Sequence, residues 1–158
     1  MSETPMTAVE VVNKLLSNPT DIENVRSLTT PNVNYVSLNK NHPDLTRVLP
    51  WAGDHHGPEE IVKAFQGMHA MWETVGFEVK AAFSQGEDVA LFGEFSYRSK
   101  EVGKTITSPF GIHLKVVDGK VAYILFLEDT LITTSSVQTG GEASYTSLGH
   151  QVTLTAEP

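Results

Sequence analysis

Gly57-Pro58-Glu59-Glu60 divides this chain into two halves of different periodicity, and that division constrains the fold more than any other feature. Proline loses nothing at a first helical position, because its missing N–H would be unpaired there. The two glutamates suit the positive end of the helix dipole. Ile61, Phe65, Met68 and Trp72 follow at helical spacing, with His69 at the edge of the stripe. Two capping boxes upstream predict two earlier helices, Thr7-Ala-Val-Glu10 and Thr20-Asp-Ile-Glu23. The first carries Ala8, Val11, Val12, Leu15 and Leu16 inward and stops at Asn18-Pro19. The second carries Ile22, Val25 and Leu28 and ends at Thr30-Pro31-Asn32. Val33 to Leu38 reads as a strand with Val33, Tyr35 and Ser37 on one face.

Beyond the third helix the period changes to two. Phe77 to Phe83 alternates as a half-buried strand, and Gln85-Gly-Glu-Asp88 turns it into a second, Val89 to Arg98. That strand has two apolar faces: Val89, Leu91, Phe95 and Tyr97 on one, Ala90 and Phe92 beside Glu94 and Ser96 on the other. One face should meet a core or pocket, the other a second subunit, so a homodimer is expected. Thr105 to Val117 is interrupted by Pro109 and Gly111, which suggest a bulge or bend. Asp118-Gly119 is a tight-hairpin signal, because a primed turn needs positive φ at both central positions. Lys120 to Asp129 closes the pattern. The expected fold class is α+β: a curved, mainly antiparallel sheet wrapped around three N-terminal helices, a cone-shaped α+β barrel. Residues 1–134 form this domain, and residues 135–158 a polar C-terminal extension that adds an edge strand or docks as a tail.

Composition narrows the function classes. With 158 residues, 40% hydrophobic and 19% charged, one globular domain is expected. A formal charge of −8 with only 11 basic residues argues against nucleic acid, whose phosphates need clustered Lys and Arg. The absence of cysteine removes disulfides, thiolate nucleophiles and Cys-based zinc sites. His55 and His56 are adjacent and diverge, His69 and His113 lie far apart, and no metal site is expected. No Gly-rich nucleotide loop is present, so no cofactor is expected. No apolar run approaches the roughly 20 residues of a membrane span, and Met1 to Glu10 lacks a signal-peptide pattern. A cytoplasmic location is the expectation.

The order of helices, then hairpins, then an acidic strand end resembles the SnoaL-like branch of the nuclear transport factor 2-like superfamily, which includes ketosteroid isomerase and limonene-epoxide hydrolase relatives. Trp51…Gly53…Gly57, Asp118-Gly119-Lys120 and Glu128-Asp129-Thr130 carry the resemblance over about Thr7 to Thr134. It implies a pocket between the third helix and the sheet. Tyr35 matches a tyrosine that holds water in the epoxide hydrolases, while Ser37 stands where they carry Asn. Asp129 matches their final aspartate. Their Arg-x-Asp segment falls on Glu94 and Ser96, and the second acid of ketosteroid isomerase falls near Ile112, so neither reaction carries over.

The candidate catalytic residues are Asp129, Tyr35, Glu94 and Glu128. The candidate lining is Ser37, Trp51, Met68, His69, Trp72 and Phe92, with Ile112 and Phe126. Glu128 and Asp129 alternate along a strand, so one of them faces inward: motif position favours Asp129, parity with Ile124 and Phe126 favours Glu128. Carboxylates in apolar surroundings have raised pKa values and can divide into base and acid. Two functions fit. One is a cofactor-free lyase, isomerase, cyclase or hydrolase acting on an apolar carbonyl or ring-bearing compound. The other is a non-catalytic small-molecule-binding or dimerisation module.

Overall fold

The computed structural model describes residues 5–156. The chain opens with α1 (Ala8–Ser17), α2 (Ile22–Leu28) and β1 (Thr29–Ser37), followed by a short α3 (Pro43–Val48), β2 (Gly53–His56) and α4 (Pro58–Met71). Four strands come next: β3 (Trp72–Gln85), β4 (Asp88–Ser99), β5 (Thr105–Val117) and β6 (Lys120–Glu128). α5 (Thr130–Ser135) leads into β7 (Glu142–Ser147) and β8 (His150–Thr155). β1 to β6 form one sheet in the order β2-β1-β6-β5-β4-β3. All its ladders are antiparallel except β1 with β6, which is parallel. This is the α+β architecture the periodicities predict. No helix among the described residues is long and apolar enough to cross a membrane.

Local chemistry explains most element boundaries. Thr7 and Glu10 cap α1 reciprocally, the Glu10 amide donating to Thr7 Oγ1 at 3.3 Å and the Thr7 amide to Glu10 Oε2 at 2.7 Å. α2 differs from expectation. Asp21, one residue inside the Thr20 box, is its cap and accepts from the amides of Glu23 and Asn24. β1 then starts at once, and Pro31 falls where the β1–β6 ladder is interrupted, so its missing N–H is not needed. α3 is an additional helix, and the helix at Pro58 is therefore the fourth. It ends at Met71, one residue before Trp72, whose backbone is extended and starts β3. Asp118 and Gly119 both have positive φ, 48° and 74°, as their hairpin requires.

The core lies in the concavity of the sheet. Val11, Val12 and Leu15 of α1, Val25 and Leu28 of α2, and Ile61, Val62 and Ala64 of α4 are buried there. They meet Val89, Leu91, Phe95 and Tyr97 of β4, Phe110 and Ile112 of β5, and Ile124 and Phe126 of β6. The β4–β5 register runs unbroken past Pro109 and Gly111, so the expected bulge there is absent. Register shifts occur instead in the β3–β4 ladder and between Lys115 and Val116 of β5. Two cross-strand glycine–phenylalanine pairs stand back to back at this point. Gly93 pairs with Phe110 and Phe92 with Gly111, and each ring lies over the glycine opposite. The C-terminal segment does not add a strand to the main sheet. β7 and β8 pair only with each other, through a turn at Leu148 and Gly149.

A Cβ at Gly93 would sit 2.0 Å from the Glu78 carbonyl oxygen and 2.5 Å from the Phe110 ring. Gly93→Ala should therefore cost about 2 kcal/mol or more, the scale of an overpacked core. Gly67 of α4 meets nothing within 4 Å, so Gly67→Ala should stabilise by about 0.5–1 kcal/mol. Thermal unfolding of the two variants tests both signs.

Candidate functional site

Between α1, α4 and the inner face of the sheet lies a cavity of about 260 Å³. α4 contributes Phe65, Met68 and His69, and the end of α1 contributes Leu16 and Ser17 with Pro19 beyond. β1 supplies Tyr35 and Ser37, β3 Thr74 and Phe77, β4 Tyr97, and β6 Phe126 and Glu128. Trp51, from the loop after α3, completes the wall. Most of this lining is apolar, with a few polar groups converging, the usual composition of a small-molecule site.

The polar groups meet around Glu128. Its Oε1 atom is cut off from water and has no hydrogen-bond partner among the described residues. Burial raises its carboxyl to about 7; nearby Thr133 offsets part of the rise, and the Asp129 charge adds to it. The Thr133 hydroxyl itself donates to the Asp129 carbonyl oxygen at 3.1 Å. The Tyr35 phenol is pushed far up, chiefly by burial; the Ser37 hydroxyl lowers it and the Glu128 charge raises it. Tyr97 is also pushed up by burial, then by Glu128 and Tyr35. Both phenols therefore remain neutral hydrogen-bond donors at physiological pH. A carboxyl with a near-neutral pKa and two neutral phenols line one cavity.

Aromatic packing holds these groups in place. Tyr35 is stacked between Phe65 and His55, with ring centroids 5.7 Å away on each side. His55 Nε2 is 2.7 Å from the Trp51 carbonyl oxygen, which ties the loop to β2. Trp51 packs edge-on against Trp72 at 4.6 Å, and Trp72 stacks on Tyr97 at 5.3 Å. The Trp72 indole N–H donates to Ser136 Oγ at 2.9 Å, joining the wall to the end of α5.

Seven of the twelve candidates from the sequence line the cavity: Tyr35, Ser37, Trp51, Met68, His69, Phe126 and Glu128. Five lie elsewhere. Asp129 is exposed and caps α5, accepting from the Ile132 amide at 3.2 Å, so the inward position at the strand end belongs to Glu128. The alternation of β6 decides this, since Ile124, Phe126 and Glu128 share one face. Phe92 is 51% exposed and stacks on Phe83 at 6.0 Å on the outer face. Glu94 shares that face and pairs with Lys80 at 3.4 Å. Parity is again the cause: β4 turns Phe95 and Tyr97 inward, which sends Phe92 and Glu94 out. Trp72 stands behind the wall, and Ile112 is core between Leu91 and Phe126. Tyr97 was not among the candidates. Its shared face with Phe95 was legible, but its partner Glu128 lies on another strand.

Among the described residues no group of three His, Cys, Asp or Glu side chains is placed to hold a metal ion.

Comparison with known proteins places these features in a family. The SnoaL-like domain matches residues 15–124. The patulin synthesis protein F of Aspergillus clavatus is 33% identical over 141 residues, covering 86% of this chain and 70% of that protein. An NTF2-like protein of Burkholderia thailandensis superposes with a TM-score of 0.72 at 20% identity, covering 85% of this chain and 99% of that one. TerC, crystallised with polyporic acid, superposes with a TM-score of 0.64 at 22% identity, covering 78% and 92%. These two superpositions show the shared fold.

The raised carboxyl has a consequence for stability. The folded chain keeps the Glu128 proton to higher pH than the unfolded chain, whose carboxyl titrates near 4.5. The stabilisation is thus fully present below about pH 4.5 and is lost as pH rises through about 7. Over that window the wild type should lose on the order of 3 kcal/mol relative to Glu128→Gln, which has no proton to release. Parallel denaturant titrations of the two proteins at pH 5 and pH 8 check the difference; equal pH slopes would contradict it.

Proposed function

This chain belongs to the SnoaL-like domain family, and from that premise we propose that it is a small-molecule enzyme of cyclase or isomerase type, acting on a compact carbonyl-bearing ring compound. The observation that carries this reading is Glu128, buried with its Oε1 unpaired, lining one largely apolar cavity together with Tyr35 and Tyr97. A carboxyl with a pKa near the working pH takes and returns protons efficiently, which is what a general base and then acid must do. Tyr35 and Tyr97 are the groups proposed to donate to a carbonyl oxygen as it gains negative charge. Removal of a proton beside that carbonyl breaks a C–H bond and leaves an enolate on the phenols. Return of the proton at another carbon, or attack of the enolate on a second carbonyl, completes an isomerisation or a cyclisation. Glu128 and the phenols supply this chemistry in the proposal, with no cofactor taking part. The relative named for patulin synthesis supports a substrate from natural-product metabolism, and a cavity of about 260 Å³ supports a small one.

We also propose that two copies pair through the outer face of the sheet. Phe83 and Phe92 stack there while 57% and 51% exposed, and Leu127 on the same side is 48% exposed. Apolar groups clustered in this way favour an isologous contact.

On a substrate found by screening small cyclic ketones and polyketide-type compounds, Glu128→Gln should lower kcat about a hundredfold or more. Tyr97→Phe and Tyr35→Phe should each lower it about tenfold or more, and the wild-type rate should rise with pH through about 7 as the base ionises. Asp129→Asn should keep its turnover, since asparagine still caps α5. Undiminished turnover in Glu128→Gln would remove the carboxyl from the mechanism. For the assembly, light scattering at micromolar concentration should report a dimer, and Phe92→Lys should shift it to monomer.

A further inference from the structure

The sheet opens beside Glu128. The β1–β6 ladder ends at Ser37 and Phe126, and the Leu38 amide makes a last bond to the Phe126 carbonyl at 2.9 Å. Leu38 then takes a left-handed conformation, φ 65°, which L-residues rarely adopt. The chain leaves the sheet there, so Leu127 and Glu128 have β5 on one side and no strand on the other. A second groove occupies that gap, about 600 Å³ in volume, lined by Leu38, Asn39, His42, Leu131, Thr134 and Glu128 itself. Glu128 therefore lines both the inner cavity and the outer groove.

We propose that Glu128 works from two sides: the inner cavity presents it to the substrate, and the outer groove exchanges its proton with bulk water. This role rests on the reading of Glu128 as the working carboxyl. A substrate filling a cavity of about 260 Å³ leaves little space for water on the inner side. A base that has taken a proton there needs another exit if it is to be regenerated before the product leaves. In the proposed cycle the substrate C–H bond breaks and a Glu128 O–H bond forms. The O–H bond then breaks, and the proton passes to a groove water; the reverse path supplies a proton. The titratable groups beside Glu128 are Tyr35, Tyr97 and His69 in the cavity and His42 and Asp44 in the groove, with Asp129 next in the chain. His42 is held at the groove by its Nδ1, which accepts from the Leu45 amide at 3.2 Å.

The absence of cysteine makes a direct test simple. Leu131→Cys and Val48→Cys place a unique thiol on the groove at positions 60% and 41% exposed, where substitution should leave the fold intact. N-benzylmaleimide then plugs the groove, and the Glu128 titration is read by difference infrared spectroscopy of its carboxyl, with Glu128→Gln assigning the band. The unmodified thiols should titrate like wild type. Either adduct should raise the midpoint by about one pH unit, a tenfold change in acid dissociation, because the groove water that solvates the anion has been displaced. Met68→Cys, alkylated to fill the inner cavity, should still titrate through the groove. An unchanged midpoint with both outer adducts, or loss of titration on filling the inner cavity alone, would overturn the proposal. The titration needs no substrate, so it stands apart from the turnover of Glu128→Gln: full turnover in that variant defeats the proposed chemistry while leaving the two-sided access of the carboxyl intact.

Discussion

The parallel pairing of β1 with β6 is the contact on which the rest of this molecule depends. It joins Tyr35 to Ile124 and Ser37 to Phe126, strands separated by most of the chain. Every other ladder of the main sheet is antiparallel, and each joins neighbours in the strand sequence. Without this one pairing the hairpin strands would have no continuation to β1 and β2, and the phenol and hydroxyl of β1 would not reach the carboxyl of β6. Long-range pairing carries a loop-closure cost that only burial can offset. Val33, Tyr35, Val121 and Ile124 supply that burial along the seam. The same pairing ends two residues short of Glu128, and the opening beside the carboxyl follows from that.

A carboxyl held away from water with an unpaired oxygen is a destabilising arrangement, and a fold keeps it only where its surroundings are rigid. Here the rigidity is aromatic. Trp51, Trp72, Tyr97, Phe95 and Phe110 form a continuous run of ring contacts, with Phe77 and Phe126 attached to its far end. Large flat side chains bury much area and keep few rotamers, so they hold the cavity open against collapse. At α4, half-buried Met68 and exposed His69 border the cavity. Stability and ligand access are thus set by different residues: the ring system supports the wall, and the end of α1 with α4 forms the mouth.

The C-terminal hairpin adds a separate physical problem. Ala143, Tyr145, Val152 and Leu154 share one face, while Ser144, Thr146, Gln151 and Thr153 share the other. A lone two-stranded hairpin is marginal in water, and an amphipathic one needs something against its apolar face. That face borders Val48, Leu131 and Val137 across a cleft rather than in close contact, and Leu148 at the tip is 97% exposed. Leu131 and Thr134 belong both to this cleft and to the groove at Glu128. The hairpin therefore borders the outer approach to the carboxyl.

What could be read in the residues follows the reach of each interaction. Capping, turns and alternation act over a few residues. The Thr7–Glu10 cap, the Asp118-Gly119 hairpin and the alternation along β4 were therefore legible, and with them the α+β class. The second cap failed locally too, because Asp21 competes with Thr20 for the same amides and its carboxylate is the stronger acceptor. Parity also showed that Glu128 and Asp129 must face opposite ways. Parity with Ile124 and Phe126 favoured Glu128 while motif position favoured Asp129, and the way β6 sits against β1 and β5 decides for Glu128. The same reason misplaced Phe92 and Glu94: both faces of β4 are apolar, and only the helices packed against one of them decide which is the inside. By itself the sequence determined the longer helices and strands, their order and the two faces of each strand, while α3, β2 and α5 were not read from it. The tertiary structure alone decided that Glu128 joins Tyr35 and Tyr97 in the lining of one cavity, because that requires three strands from distant parts of the chain to share a single concave surface.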